Sequence, residues 1–389
     1  MIGITKGSRQ AGVDGTAFPP PASSGNNRTE AVEWLRRGQA LEAQGSAPTL
    51  AEAVVSYDAA IALLRAESLA GRDPVRHELG VAWMNRGNAL QKQATGASLT
   101  EAVHAYNEAI TLVRALPIAT DPVFRNCLGA AYLNRGHALL QLADDAGLAA
   151  ATRSHEEAVT LLRSLPVGRV PAYRLNLAGA LINLANALLI GSEPDKLEQA
   201  RTAAIDALTL TAERENTASE FADLGLKARR VLCEALGQLL FAAGSDEAAV
   251  IRLAAEASDA VDSGLALARH WESLGVPHFR PLAARLFRFG AQLYQLHQPQ
   301  FLAEFLLENL DPAHSPGALP TSGEFHTIAA ETLARARREL GRRPVAHLDQ
   351  AATARLLEIS RGLAAADECL AGLRQEFLPH SPASVASRS

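Results

Sequence analysis

Lysine is nearly missing from this chain of 389 residues: of its 37 basic residues only Lys6, Lys92, Lys196 and Lys227 are lysine, and the rest are arginine. Aromatic residues make up 5%, and there are three cysteines and two methionines. Each shortage excludes something. Cys127, Cys233 and Cys369 are odd in number, far apart and without a C-x-x-C spacing, so they read as small buried thiols of a reducing compartment, not as disulfides or zinc ligands. No long uncharged apolar run is present, which argues against a membrane partner or span. A net charge of −5 at pH 7 lacks the cation surplus of a general nucleic-acid binder, so a nucleic-acid partner is not expected. Residues 1–28 have no apolar core of a secretion signal; they are rich in Gly, Ser and Asn, carry Phe18-Pro19-Pro20-Pro21, and are expected to be a disordered lead-in. A cytoplasmic chain is the expectation.

Alanine is what the chain has in excess, at 76 residues. High alanine with few β-branched or aromatic residues favours helices over strands, so the fold class expected is all-α. Scarce lysine beside abundant arginine and alanine points to a GC-rich bacterial genome.

Laid on itself with a shift of 49, the segment from about 30 to 215 falls into register four times. Gly38, Gly87 and Gly136 align with Ala185, and the pairs Ala40-Leu41, Ala89-Leu90, Ala138-Leu139 and Ala187-Leu188 follow. Leu50, Leu99, Leu148 and Leu197 agree, as do Ala53, Ala102, Ala151 and Ala200. One large-residue column runs Trp34, Trp83, Tyr132, Leu181; another runs Tyr57, Tyr106, His155, Ala204. Each unit holds two helical patterns. Leu79, Ala82, Trp83, Arg86, Gly87 and Leu90 recur at steps of three and four, a Gly96-Ala97-Ser98 break follows, and Ala102, Tyr106, Ala109, Ile110 and Val113 resume the pattern. Thr100 and Glu101 are expected to open the second helix. Pro74, Pro122 and Pro171 punctuate the units. The unit is an αα-hairpin in which Gly87 and Ala102 let helix backbones approach while Trp83 and Tyr106 fill the space between neighbouring hairpins.

These residues resemble the tetratricopeptide repeats. Trp83-Met84-Asn85-Arg86-Gly87-Asn88-Ala89-Leu90 is similar to the first helix of the bacterial form, and Glu101 to Ile110 to the second; Tyr132 to Leu139 is another match. The family unit is about 34 residues, and the extra length lies between Gly87 and Ala102 and between Ala109 and Tyr132. The resemblance implies a right-handed α-solenoid of helical hairpins. Beyond residue 215 the period is lost, but Gly237 and Gly290 occupy the glycine slot of two degenerate hairpins over 216–310. A Pro/Gly loop at 311–324 follows, then a C-terminal helical cap over 325–380 with Arg335, Arg337 and Arg338, and a disordered tail at 381–389.

Two before the glycine the repeats read Arg36, Asn85, Asn134 and Asn183; three later they read Gln39, Asn88, His137 and Asn186, with Lys92 and Gln141 a turn further on. Residues three apart share a helix face, so stacking the hairpins aligns these side chains in a stripe. The resemblance implies that the stripe lines a concave groove and clamps a peptide backbone, with Arg36 and Lys92 as carboxylate partners. Amides suit that task, since each offers donors and an acceptor. The same asparagines equally suit fixing the hairpin geometry by bonds to their neighbours.

Arginine forms three columns. Arg37, Arg86 and Arg135 are expected to pair with second-helix groups such as Asp58 or Glu108. Arg65, Arg114 and Arg163 lie at helix C-termini, where the dipole favours cations. Arg76, Arg125 and Arg174 open first helices and mark a possible basic edge for an acidic partner or nucleic acid.

Catalytic signatures fail. His77-Glu78 begins a zinc-protease pattern, but Val81 stands where the second histidine is needed, and His270 and His278 flank Pro277 in a poor metal geometry. The expectation is a protein-interaction scaffold or adaptor, not an enzyme, with no metal or cofactor and with another protein as partner. Alternatives are a nucleic-acid-associated regulator using the arginine edge, and an accessory subunit of an enzyme or toxin system.

Overall fold

The computed structural model describes residues 27–68, 73–142, 145–191, 193–311, 323–342 and 360–371. The expected N-terminal lead-in, nearly all of the 311–324 loop, part of the cap and the C-terminal tail lie outside these. Among the described residues every regular element is helical. The elements are α1 (Asn27–Gln44), α2 (Ala47–Ser68), α3 (Asp73–Gln93), α4 (Gly96–Arg114), α5 (Pro122–Leu142), α6 (Asp145–Arg163), α7 (Pro171–Leu189) and α8 (Pro194–Thr211). Then follow α9 (Ser219–Ala243), α10 (Glu247–Ser273), α11 (Arg280–His297), α12 (Leu302–Leu310), α13 (Gly323–Arg342) and a helix α14 over 360–371. The chain forms two compact units, one of residues 1–191 with 209–211 and the other of 192–208 with 212–389. The division falls inside the fourth repeat, with α7 in the first unit and most of α8 in the second.

In the first unit each helix from α1 to α7 packs on the next, and α1, α3, α5 and α7 also touch in succession. This is the pattern of stacked hairpins, compatible with a helical solenoid. The repeated glycine sets the spacing within a hairpin. A Cβ on Gly38 would lie 2.5 Å from the Tyr57 ring, one on Gly87 2.6 Å from Tyr106, and one on Gly136 2.5 Å from His155. What a Cβ at the glycine would meet is therefore a ring of the second helix. The same rings reach onward: Tyr57 packs with Ala89 and Tyr106 with Ala138, each an alanine of the following hairpin. In the fourth repeat both members of the pair change together, to Ala185 and Ala204.

The hairpin turn also differs from expectation. Gly96-Ala97-Ser98 is the first turn of α4, not a break, because Thr95 caps the helix: its Oγ1 accepts from Ser98 N, and Ser98 Oγ accepts from Thr95 N. The turn lies just before, where Gly45 (φ 71°) and, one repeat later, Ala94 (φ 55°) adopt the left-handed region. Pro122 and Pro171 stand at the start of α5 and α7, where a missing N–H costs nothing.

Helix α2 contains one stretch, Ala47–Arg65, long and apolar enough to cross a membrane by length and composition alone. Its Leu50, Ala53, Tyr57, Ala60, Ile61 and Leu64 are buried in the first unit.

In the second unit α9 pairs with α10, α11 packs on both, and α12 and α13 pack on α11. A nearly buried ion pair fastens its start: Arg229 donates to both carboxylate oxygens of Glu215 at 2.8 and 2.9 Å, and Trp271 Nε1 donates to Glu215 O at 2.7 Å. Gly290 repeats the glycine–ring rule with Phe305 at 2.6 Å, whereas Gly237 meets Phe289 of α11 at 3.0 Å. On α13, Phe325, Ile328, Ala329 and Leu333 are buried, while Arg335, Arg337 and Arg338 are exposed and Arg337 pairs with Asp367 at 2.7 Å.

If the ring excludes a side chain at the glycine, Gly87→Ala costs about 1–3 kcal/mol of the overpacking kind. A double-mutant cycle with Tyr106→Ala, followed by urea unfolding, is expected to show a coupling above about 0.5 kcal/mol. Additive effects would mean that some other neighbour excludes the side chain.

Candidate functional site: polar rows on the first helices

The polar columns lie on α1, α3, α5 and α7, all in the first unit, and the fold divides them. Asn88 is buried and Asn134 is 5% exposed; Asn134 Nδ2 donates to Asn88 Oδ1 at 3.0 Å, and the Tyr106 hydroxyl donates to the same oxygen at 2.9 Å. Gln91, which the repeat pattern does not single out, joins the two hairpins: its Nε2 donates to Gln141 Oε1 at 3.1 Å, and its Oε1 lies 2.9 Å from the Tyr106 oxygen, whose single proton is shared between it and Asn88 Oδ1. Lys92 reaches back to Glu42 at 2.7 Å, and Glu42 accepts the Tyr57 hydroxyl at 2.8 Å. A second rung joins Asn176 Nδ2 to Asn126 Oδ1 at 2.8 Å. Asn88, Gln91, Asn126, Asn134 and Asn176 are buried, so an unmade bond there would cost about 1–3 kcal/mol, whereas Gln141 is exposed.

Other members of the columns face differently. Arg36 and Gln39 are exposed, and Asn85, His137, Asn183 and Asn186 are half-buried. The Asn85 amide nitrogen is shielded from solvent and has no hydrogen-bond partner. Of the predicted stripe, then, Asn88, Asn134 and Gln141 are engaged between hairpins and Lys92 is ion-paired, while Arg36, Gln39 and Asn85 keep unused donors.

His155 takes the place of Tyr57 and Tyr106 but offers no hydroxyl. It is fully buried, neither ring nitrogen has a partner, and burial with the nearby His137 pushes its pKa down to about 3. Burial lowers His137 as well.

The arginine columns are used in distinct ways. Arg86 pairs with Asp58 at 2.7 Å, as the spacing predicts, and with Glu101 at 3.2 Å. Arg125 spends four hydrogen bonds on Ile118 O, Ala119 O, Ser164 O and Ser164 Oγ, and Arg174 bonds Val167 O with the same backward step. Arg76 meets Asp73 at 3.3 Å. Arg125 and Arg174 thus tie down the loops between hairpins, whereas Arg76 pairs within the first turn of α3. The residues of the apparent zinc pattern are also engaged: His77 packs on Phe124, and Glu78 pairs with Arg28 at 2.6 Å. Burial pushes the Cys127 and Cys233 thiols up to about 12, which keeps them protonated at neutral pH.

The second unit holds a feature that the sequence does not reveal. Between α10 and α12 lies an open cleft of about 360 Å³ with Asp259, Asp262, Glu304 and Glu308 beside Tyr294 and Phe305. Burial raises the Asp262 carboxyl, whose Oδ2 accepts from the Tyr294 hydroxyl at 3.4 Å. Its only sequence signals are acidic pairs three and four residues apart on two helices, a spacing common on solvated faces.

No protein-family model matches the chain, and no curated protein matches it.

Two outcomes are expected. Asn134→Ala removes a buried bond and lowers stability by about 1–2 kcal/mol in urea unfolding, whereas Asn85→Ala changes it by less than about 0.5 kcal/mol. Equal losses would show that both amides do the same structural work. Separately, the unfolded chain binds a proton at His155 below about pH 6.5, and the native chain does so only near pH 3, so this contribution to stability is complete above 6.5 and is lost as pH falls through that window. His155→Tyr is expected to flatten the decline of the melting temperature between pH 7 and 4; an unchanged slope would assign the acid sensitivity elsewhere.

Proposed function

We propose that the chain is a protein-interaction scaffold, a right-handed solenoid of tetratricopeptide-like hairpins acting in a bacterial cytoplasm. It captures a segment of another protein along the first helices of its first unit. The observation that carries this reading is Asn85: a shielded amide without a partner, in the register of exposed Arg36 on the neighbouring α1 and of half-buried Asn183 on α7, two hairpins on. A peptide backbone supplies the carbonyl that such an amide lacks, and its N–H groups suit the neighbouring side-chain oxygens. Arg36 supplies a carboxylate partner, and Gln39, His137 and Asn186 flank the path. Buried Asn88 and Asn134 and the exposed Gln141, bonded to Gln91, hold the helices in register, and Lys92 does so from the surface through Glu42.

The regulator reading, with Arg76, Arg125 and Arg174 as a basic edge, draws less support, since these guanidiniums already hold loop carbonyls and Asp73. Site-specific photocrosslinking in the native cell tests the proposal. A photoreactive residue at position 85 or 183 is expected to trap a partner protein, and one at exposed Thr111 of α4 is not. Trapping only from position 111 would place the interaction on the second helices and reject this groove.

A further inference from the structure

Equivalent positions in successive hairpins act as controls for one another, and one set differs in charge. Around Trp83, Arg65 and Arg86 lie 5.4 and 5.7 Å from the ring centroid. Their charge is matched within the chain: Arg86 pairs with Asp58 and Glu101, and Arg65 with Glu108 at 3.9 Å. One repeat later the frame returns around Tyr132, with Arg114 and Arg135 at 5.7 and 5.0 Å from the ring centroid. The counter-charges do not return. Asn107 stands in the place of Asp58 and Ala150 in that of Glu101; Glu157 alone remains, and Arg153 replaces His104. Two arginines facing three carboxylates become three arginines and one carboxylate.

The guanidinium of Arg135 is consequently held by neutral groups, Ser154 Oγ at 3.0 and 2.8 Å and Asn107 Oδ1 at 3.2 Å. Among the described residues no carboxylate lies within ion-pair distance of Arg114, Arg135 or Arg153. Burial and the like charges of Arg114 and Arg153 disfavour the charged form of Arg135, opposed by Glu157. Arg114, Arg153 and Asn107 are exposed, so the face is open to a ligand.

We propose that Arg114 and Arg135 at Tyr132, with Arg153 close to Arg135, bind acidic side chains of a partner protein, whose carboxylates take the place that Asp58 and Glu101 hold beside Arg86. Carboxylates are favoured over other anions because the same frame one repeat earlier is filled by carboxylates, and guanidinium forks match that geometry. The proposal rests on reading the chain as a protein-binding scaffold, and uses different residues from the Asn85 row.

The test is fluorescence anisotropy of labelled octaglutamate with the full chain at about 50 and 200 mM salt, with labelled octathymidylate DNA as the rival probe. Octaglutamate is expected to bind, more weakly at the higher salt. Restoring the internal counter-charges with Asn107→Asp and Ala150→Glu is expected to weaken binding about tenfold and to raise the melting temperature. Arg114→Gln with Arg153→Gln, both at exposed positions, is expected to weaken it similarly. No binding of octaglutamate, binding unchanged in either double variant, or DNA binding tighter through the same arginines would overturn the proposal. Because the probe is a defined peptide, this result is independent of crosslinking at position 85.

Discussion

The contact of a bare glycine backbone with an aromatic ring nineteen residues later governs the first unit. The ring lies where a Cβ would stand, so the two helices of a hairpin approach to a distance that alanine would forbid. Because the ring also reaches the alanine of the next hairpin, one side chain sets both the spacing within a hairpin and the step to its neighbour. The alanine excess follows from this, since small residues are needed wherever a ring must be received. So does the scarcity of aromatics: the repeat uses one ring to pack a hairpin and one large residue to carry its arginines.

The tyrosine hydroxyl extends the same contact into the polar network. Tyr57 ends on Glu42, which holds Lys92, and Tyr106 ends on Asn88 and Gln91, which bond Asn134 and Gln141 of the next hairpin. Packing and hydrogen bonding are therefore coupled through single residues. Where the ring becomes His155 the steric role persists and the hydrogen-bonding role is lost, leaving a buried neutral imidazole. The repeat tolerates drift in one function of a residue while another is kept. The change from Asp58 and Glu101 to Asn107 and Ala150 beside the arginine–ring stack is drift of the same kind, and it exchanges a surplus of carboxylates for a surplus of arginines.

Much of the fold was legible in the sequence because nearest-neighbour packing repeats at a constant interval, so the same chemical demand recurs at the same residue spacing. Gly38, Gly87 and Gly136 and their rings stand out for that reason, as does the Arg86–Asp58 pair. The hairpin turn was misplaced by a few residues because Gly96 and Ser98 are turn-prone by type, yet Thr95 caps the helix ahead of them. The candidate site was less legible. Asn85 and Asn88 sit on one helix three residues apart and carry the same amide, but only one finds a partner across the hairpin interface. Gln91 carries no signal in the repeat because its role lies in a bond to the next hairpin, and the acidic cleft carries none because its carboxylates come from helices with no common period.

By itself the sequence determined the helical class, the 49-residue hairpin unit and the columns of small, aromatic, amide and arginine residues, since these follow from local propensity and from a spacing repeated along the chain. Only the tertiary structure decided which members of each column are consumed and which are left over. That outcome depends on how each hairpin meets the next: it turns Asn134 onto Asn88 while leaving Asn85 without a partner, and it sets carboxylates beside Arg86 but only neutral groups beside Arg135. Distances between neighbouring hairpins, not residue types, determine whether a polar group is already satisfied.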